Sequence, residues 1–310
     1  MTRPCLRLGT RGSALARWQA RWVADRLRDH GASIELVEIA TRADRHQAAP
    51  LGSLGTQGVF TKELQRALQQ KQVDLVVHSL KDLPTEGVEG LVLAAVPPRG
   101  PVADVLVAPG APGLGELPPG ARVGTGSLRR RVQLWHVRPD LQMCEIRGNV
   151  DTRLRKLLEG QYDAIVLAQA GLERLGLAAG MIYPLPWEQM LPAVGQGALA
   201  VEARADDAAT LRLLDRLDDK PTHHAVRAER ALLACLRGGC LAPVAAWCRP
   251  EGASGLRLSA VVLSADGRVR LATDRQGAIA APEDLGKAAA DDLLAQGAAE
   301  LIRAARGPTT

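Results

Sequence analysis

Apolar residues along this chain recur at two spacings, and the change from one to the other marks out the elements. Residues 14–29 place Leu15, Trp18, Trp22 and Val23 at helical intervals behind Ser13, a good N-cap. Ile34 to Ile39 alternates as a strand. Residues 42–58 have no period and hold Gly52, Gly55 and Gly58, the composition of a long lid-like loop. A helix over Thr61–Lys71 and a buried strand from Asp74 to His78 follow. After Pro97-Pro98-Arg99-Gly100-Pro101, strands near 104–108, 121–124, 142–146 and 162–168 alternate with helices near 127–138, 149–159 and 170–176. Such alternation predicts mainly parallel sheets covered on both faces.

Leu191 to Glu202 combines glycines with a new strand and reads as a second crossing between two lobes. Beyond it come a helix over 222–236, strands near 243–248, 256–263 and 268–274 with a hairpin turn at Ser264-Ala265-Asp266-Gly267, and a helix from Pro282 to about Arg303 whose apolar side holds Leu285, Ala288, Leu293 and Leu294. The expected architecture is α/β: residues 1–98 with 198–218 as a first lobe, 99–197 as a second, and 219–310 as a small α+β domain. No sequence repeat links the two lobes, though they share a grammar.

Composition narrows the function. With 46% hydrophobic residues the 310-residue chain can build full cores, and no apolar run reaches membrane-spanning length. Aromatics at 3% are too few for stacking platforms on single-stranded nucleic acid, and a net charge of +5 is spread without a basic run. Arginines recurring through Arg28 leave no signal-peptide core, so a cytoplasmic protein is expected. Five scattered cysteines suit a reducing compartment. Cys235 and Cys240 with His223 and His224 fit no common zinc spacing, and no metal is expected.

The chemistry concentrates in Val123-Gly124-Thr125-Gly126-Ser127-Leu128-Arg129-Arg130-Arg131. An apolar strand runs into a small-residue turn, a hydroxyl able to cap a helix, and three guanidinium groups in that helix's first turns. Helix N-termini already carry partial positive charge, so arginines there call for an anion. Thr10-Arg11-Gly12-Ser13, His78-Ser79-Leu80-Lys81-Asp82 and Arg147-Gly148-Asn149-Val150-Asp151-Thr152-Arg153 follow strands in the same way. In open α/β sheets ligands bind beyond the carboxyl ends of strands. Arg11, Lys81, Arg129, Arg130, Arg147 and Arg153 are therefore expected at one anion-binding cleft.

Six motifs in order, those four together with Leu191-Pro192-Ala193-Val194-Gly195-Gln196-Gly197 and Gly238-Gly239-Cys240, resemble the porphobilinogen deaminase (hydroxymethylbilane synthase) family. The likeness runs from Leu6 to about Pro243, with the C-terminal domain matching in pattern only. It implies two lobes like type II periplasmic-binding proteins, joined by two crossings, and a cytoplasmic monomer that acts on a small molecule and on neither nucleic acid nor membrane. It implies a transferase that joins four porphobilinogen molecules head to tail, losing ammonia, into linear hydroxymethylbilane. The chain grows on a dipyrromethane cofactor held as a thioether, by position on Cys240.

Carried over by motif, Lys81, Asp82, Thr125, Ser127, Arg129 and Arg130 hold the cofactor. Arg11, Gln19, Ser79, Arg147, Arg153 and Arg174 hold substrate or chain carboxylates, which arrive two with every pyrrole. Asp82 is the catalytic residue: a placed carboxyl gives a proton to the departing amine, and its carboxylate offsets positive charge on the ring. Taken alone, Asp82 reads more readily as a partner of Lys81 or a turn cap than as a catalyst, and Cys240 as a small buried hydrophobe; the resemblance reverses that order. The two glycines before Cys240 read as backbone room for an adduct. His78, ending an apolar strand, reads as structural, and the N-terminal tryptophans as core.

This chain departs from the family's pattern at Ser53 and Gln57, where the lid loop often carries lysines, at Gly126, where serine is common, and at Leu241 after the cysteine. Three rival readings rank below it: a two-lobed carboxylate-binding protein, which has no use for a covalent pyrrole pair; a DNA-binding regulator, for which no separate helix-turn-helix segment is evident; and a cysteine hydrolase using Cys240 with His223 or His224.

Overall fold

The structure is a computed structural model, and it describes residues 5–40, 61–177, 181–239 and 242–306. In chain order the elements are β1 Cys5–Thr10, α1 Ala14–Asp29, β2 Ser33–Glu38, α2 Lys62–Gln69, β3 Leu75–Ser79, β4 Leu91–Ala95, β5 Asp104–Val107, β6 Arg122–Gly124, α3 Leu128–Val137, β7 Gln142–Cys144, α4 Val150–Leu158, β8 Ala164–Ala168, α5 Gln169–Arg174, β9 Ile182–Pro184, β10 Leu199–Arg204, α6 Ala208–Leu214, α7 Lys220–Cys235, β11 Val244–Glu251, β12 Gly255–Leu263, β13 Arg270–Ala278, α8 Pro282–Ala295 and α9 Ala298–Ala305. Among the described residues no helix is long and apolar enough to cross a membrane. The lid-like stretch 42–58, with Ser53 and Gln57, lies outside the described residues, as do Cys240 and Leu241.

Two compact units emerge, one of Met1–Gly100 with Ala198–His223, the other of Pro101–Gly197 with His224–Thr310. The first unit holds a five-stranded sheet in the order β2-β1-β3-β10-β4. β1 pairs parallel with β2 and β3, and β10 runs against both β3 and β4, so four strands point one way. Its core joins Leu8, Leu75, Val77 and Val201 to Ala20, Val23, Ala24 and Leu27 of α1. Leu27 and its partners are sealed from solvent, while Trp18 and Trp22 are only half-buried. The tryptophans thus flank the core, because the helix turns its small residues onto the sheet.

The second unit repeats the plan with β7-β6-β8-β5-β9: β6 is parallel to β7 and β8, and β5 opposes β8 and β9. The shared grammar of the two lobes is a shared topology. The same unit holds an antiparallel sheet β11-β12-β13. Alternation on β12 sends Leu256, Leu258, Ala260 and Val262 into a core with α7, α8 and α9, and Val261 and Leu263 against Val132 of α3.

The final helix differs from expectation. It breaks at Gln296–Gly297 into two, with Gly297 at φ 101°, and buries Leu285, Gly286, Ala289, Ala290 and Leu293 while Leu294 is exposed. Gly286 sets this rotation. A Cβ there would lie 2.3 Å from the Ala228 carbonyl of α7, so the helices touch along their backbones.

Candidate functional site

In the first unit, two parallel strands end side by side and hand their next residues to the same recess. β1 leads into Arg11 and Ser13, and β3 into Ser79 and a 3-10 turn, Leu80–Asp82. The recess, about 70 Å³, has room for several water molecules and is lined by Arg11, Ser13, Gln19, Thr61, Ser79 and Asp82 among others. Ser13 caps α1, its Oγ accepting from the Ala16 amide at 3.3 Å. Gln19, only 2% exposed, donates to Ser79 Oγ at 2.8 Å and so aims that hydroxyl. No described residue pairs with the half-buried Asp82 carboxylate. Lys81 stands beside it on the same turn.

His78 borders this recess, yet its Nε2 lies 2.9 Å from Glu202 Oε2 on β10, and Gln65 donates to both oxygens of that carboxylate. It is a buried structural histidine, as expected. Glu202 and Gln65 are partners that its strand gave no hint of.

In the second unit the arginine-rich turn is built differently from the sequence expectation. Thr125 is fully buried and its Oγ1 accepts from the Ser127 amide at 3.2 Å. Ser127 occupies the N-cap of α3 without a side-chain cap bond, and Asn149 does the same for α4. The expected capping bond of the Ser127 hydroxyl is thus not made, and the first-turn N–H groups of α3 have no side-chain cap.

The anion that Arg129 and Arg130 call for comes first from within. Both are 6% exposed and both converge on Asp104, at the start of β5 and sealed from solvent. Arg129 Nη1 donates to Asp104 Oδ2 at 2.7 Å and to the Leu191 carbonyl at 2.7 Å. Arg130 donates from Nε and Nη2 to Asp104 Oδ1 at 3.0 and 2.7 Å, and from Nη1 to the Val166 carbonyl. Gln196, also sealed, adds a bond to Asp104 Oδ1 at 3.0 Å. Burial alone would raise the Asp104 carboxyl, but the two guanidinium groups outweigh it and hold it well below the usual carboxylate range. Burial acts oppositely on Arg129 and lowers it, against the attraction of Asp104.

The other expected ligands lie on neighbouring turns of this unit. Arg147 Nη2 is 2.8 Å from Glu145 Oε1. Arg153 Nε donates to the Gly148 carbonyl at 2.8 Å. Arg174, pulled down to about 10 by burial, donates to the Gly197 carbonyl at 2.6 Å. The crossing segment 191–197 is held from several sides. Gln133 bonds both the amide and carbonyl of Leu191, and the buried Glu229 accepts from the Gly195 and Cys248 amides at 2.7 and 2.8 Å.

Cys240 lies outside the described residues, but the glycines before it do not. A Cβ on Gly238 would meet Leu233 Cδ1 at 2.6 Å, and Gly239 has φ 52°. Gly238 packs against a leucine side chain and Gly239 takes a left-handed turn, while the expected room for an adduct concerns Cys240, outside the described residues. Asp104, Gln196, Glu229 and Glu145 were missed by the sequence reading. The available signal was a charged residue opening a wholly apolar strand, Asp104-Val105-Leu106-Val107, which needs a buried cation.

Comparison with known proteins gives a consistent answer. Residues 6–212 match a family model described as porphobilinogen deaminase, dipyromethane cofactor binding domain, and residues 223–295 match porphobilinogen deaminase, C-terminal domain. The chain is 50% identical over 301 residues to the porphobilinogen deaminase of Desulforudis audaxviator, covering 96% of this chain and 97% of that one. It is 47% identical over 300 residues to that of Moorella thermoacetica, covering 96% of each. Among solved structures it is similar to a periplasmic substrate-binding protein of an ABC transporter from Coxiella burnetii, at 18% identity and TM-score 0.43, over 72% of this chain and 94% of that one.

Proposed function

The chain belongs to the porphobilinogen deaminase family, and on that premise we propose that Asp82 is its catalytic acid and that the arginine-bearing turns hold its anionic ligands. The enzyme condenses four porphobilinogen molecules head to tail, with loss of ammonia, into linear hydroxymethylbilane in tetrapyrrole biosynthesis. When bound, the dipyrromethane supplies the covalent primer whose free end accepts each incoming pyrrole. The residues present fit a group bearing carboxylate arms. The uncapped N-terminus of α3 and the Ser127 hydroxyl offer donors to one carboxylate. Two guanidinium groups against the single Asp104 carboxylate leave that buried trio one net positive charge.

Asp82 carries the reading. Its carboxylate has no partner among the described residues and shares a recess with Arg11, Ser79 and Gln19. From one oxygen, Asp82 delivers a proton to the departing amine. The resulting carboxylate then offsets the charge that develops on the pyrrole ring, where a fixed anion stabilises the transition state more than the ground state. Arg11 and Ser79, the latter held by Gln19, fix a substrate carboxylate in the same recess. Thr125 shapes the turn that presents Ser127. Asp104 orients Arg129 and Arg130, so their geometry is set before any ligand arrives and no ordering cost is added at binding. Arg147, Arg153 and Arg174 supply further guanidinium groups for the carboxylates of a lengthening chain, with Lys81 on the primer.

Cys240 is the thioether anchor on this reading, and residues 219–310 form the domain that carries it. The enzyme acts as a cytoplasmic monomer, and its five scattered cysteines suit a reducing compartment. Intact-mass spectrometry tests the anchor: an added mass of two pyrrole units is expected, absent in Cys240→Ala. Asp82→Asn tests the acid. The loaded, folded variant is expected to lose turnover by roughly 10²–10⁴, and near-normal turnover removes Asp82 from the mechanism.

A further inference from the structure

Glu145 sits where charge logic alone would not put an acid. It follows β7 and precedes Arg147, and its carboxylate spans two arginines, with Oε1 2.8 Å from Arg147 Nη2 and Oε2 3.3 Å from Arg131 Nη2. Its backbone is pinned, since the Tyr162 hydroxyl donates to the Glu145 carbonyl at 2.9 Å. Its side chain, held by the two arginines, is the more exposed partner at 47%, against 29% for Arg147 and 28% for Arg131. Gly126, in the turn before α3, lies beside it. A Cβ there would lie 3.4 Å from Glu145 Oε1 and 3.1 Å from the Ile146 carbonyl. Arg131 is steadied independently, its guanidinium 6.0 Å from the Trp135 ring centroid.

A half-exposed ion pair adds little to stability, so folding gives small reason to keep an anion on an arginine that serves anionic substrate. We propose that Glu145 is a competitor carboxylate built into the site: it occupies Arg147 when no pyrrole is bound and sets how tightly the substrate's own carboxylate is held there. The inference rests on the assignment of Arg147 to substrate carboxylates. Each incoming carboxylate displaces Glu145 from Arg147, and the displaced group keeps Arg131 as its partner, so neither charge is stranded. Part of the binding energy of every pyrrole is spent on this exchange. The arginine therefore binds more loosely than its geometry allows, as suits a group that must release one ring's carboxylate and take up the next.

Glu145→Gln preserves size and backbone and removes the competing charge. The Michaelis constant for porphobilinogen is expected to fall by about two- to five-fold, the range equivalent to the ~0.4–1 kcal/mol of a half-exposed pair, with kcat changed less than that. Native mass spectrometry at limiting porphobilinogen should show a larger share of protein carrying added pyrrole units. Arg147→Met serves as the reference: it should raise KM by about ten-fold, and adding Glu145→Gln to it should change nothing further. If Arg147→Met raises KM while Glu145→Gln leaves KM unchanged or raises it, Glu145 merely positions Arg147 and the proposal is overturned with the Arg147 assignment intact. If Arg147→Met leaves KM unchanged, the assignment itself fails and the proposal falls with it.

Discussion

Replacing Asp104 by Asn removes one negative charge from a site sealed from water while keeping its volume. Four hydrogen bonds end on that carboxylate: one from Arg129, two from Arg130 and one from Gln196. The amide offers one acceptor oxygen and turns an NH₂ donor toward guanidinium N–H groups, and two buried cations are left without a counter-ion. Breaking a buried pair by removing one partner costs about 3–5 kcal/mol. An exposed pair such as Arg155–Glu159, at 64% and 43% exposure, contributes less than about 1 kcal/mol. Urea unfolding followed by tryptophan fluorescence and circular dichroism separates these cases, provided the two probes report coincident transitions.

The same variant has a pH signature. The folded-state pKa of Asp104 lies below its unfolded value of 3.8, so its contribution is fully present above that pH and is lost as pH falls toward the folded pKa. The stability gap between wild type and Asp104→Asn should be constant from pH 5 to 7 and narrow below about pH 4. The loaded fraction seen by mass spectrometry should fall with it, because Arg129 and Arg130 lose their orientation. A loss below about 1 kcal/mol, or a gap that does not narrow in acid, would refute the view of Asp104 as the internal anion of this turn.

Further predictions address single contacts. Ser13→Ala should cost about 1 kcal/mol in urea unfolding because its Oγ caps α1, whereas Ser127→Ala should cost under about 0.5 kcal/mol, having no cap bond to lose, yet lower the loaded fraction. Equal costs would disprove the distinction. Gln19→Ala should raise KM about two- to five-fold, by about 1 kcal/mol or less, through release of Ser79, with the intact mass unchanged. Gly286→Ala should destabilise by about 1–3 kcal/mol, since its Cβ would overlap the Ala228 carbonyl; an unchanged urea midpoint would show that the two helices separate freely.

Much of this architecture was legible because local chemistry and tertiary role agree. Ser13 caps the helix it precedes, β5 to β8 follow their apolar runs, and Gly267 closes the Ser264 turn through its amide. Legibility failed where partners are distant in sequence. Nothing near Arg129 announces that Asp104, 25 positions earlier, supplies its counter-charge, so the arginine cluster looked wholly ligand-directed when it is already half neutralised. The C-terminal helix misled for another reason. Hydropathy favoured Leu294, but the backbone contact at Gly286 fixes the rotation and buries Ala289 and Ala290 instead.

The insertion of β10 between β3 and β4 has a cost during synthesis. A ribosome that has released residues up to Ala95 has made β1 to β4, yet among the described residues β4 pairs only with β10, whose residues 199–204 have still to emerge. In that interval the apolar β3, Leu75-Val76-Val77, presents an open edge. The nascent chain thus has an aggregation-prone window roughly a hundred residues long, which at about 5–20 residues per second lasts some 5–20 seconds. Truncations ending shortly before Leu199 should therefore precipitate or recruit chaperones, and those extending past Arg204 should not.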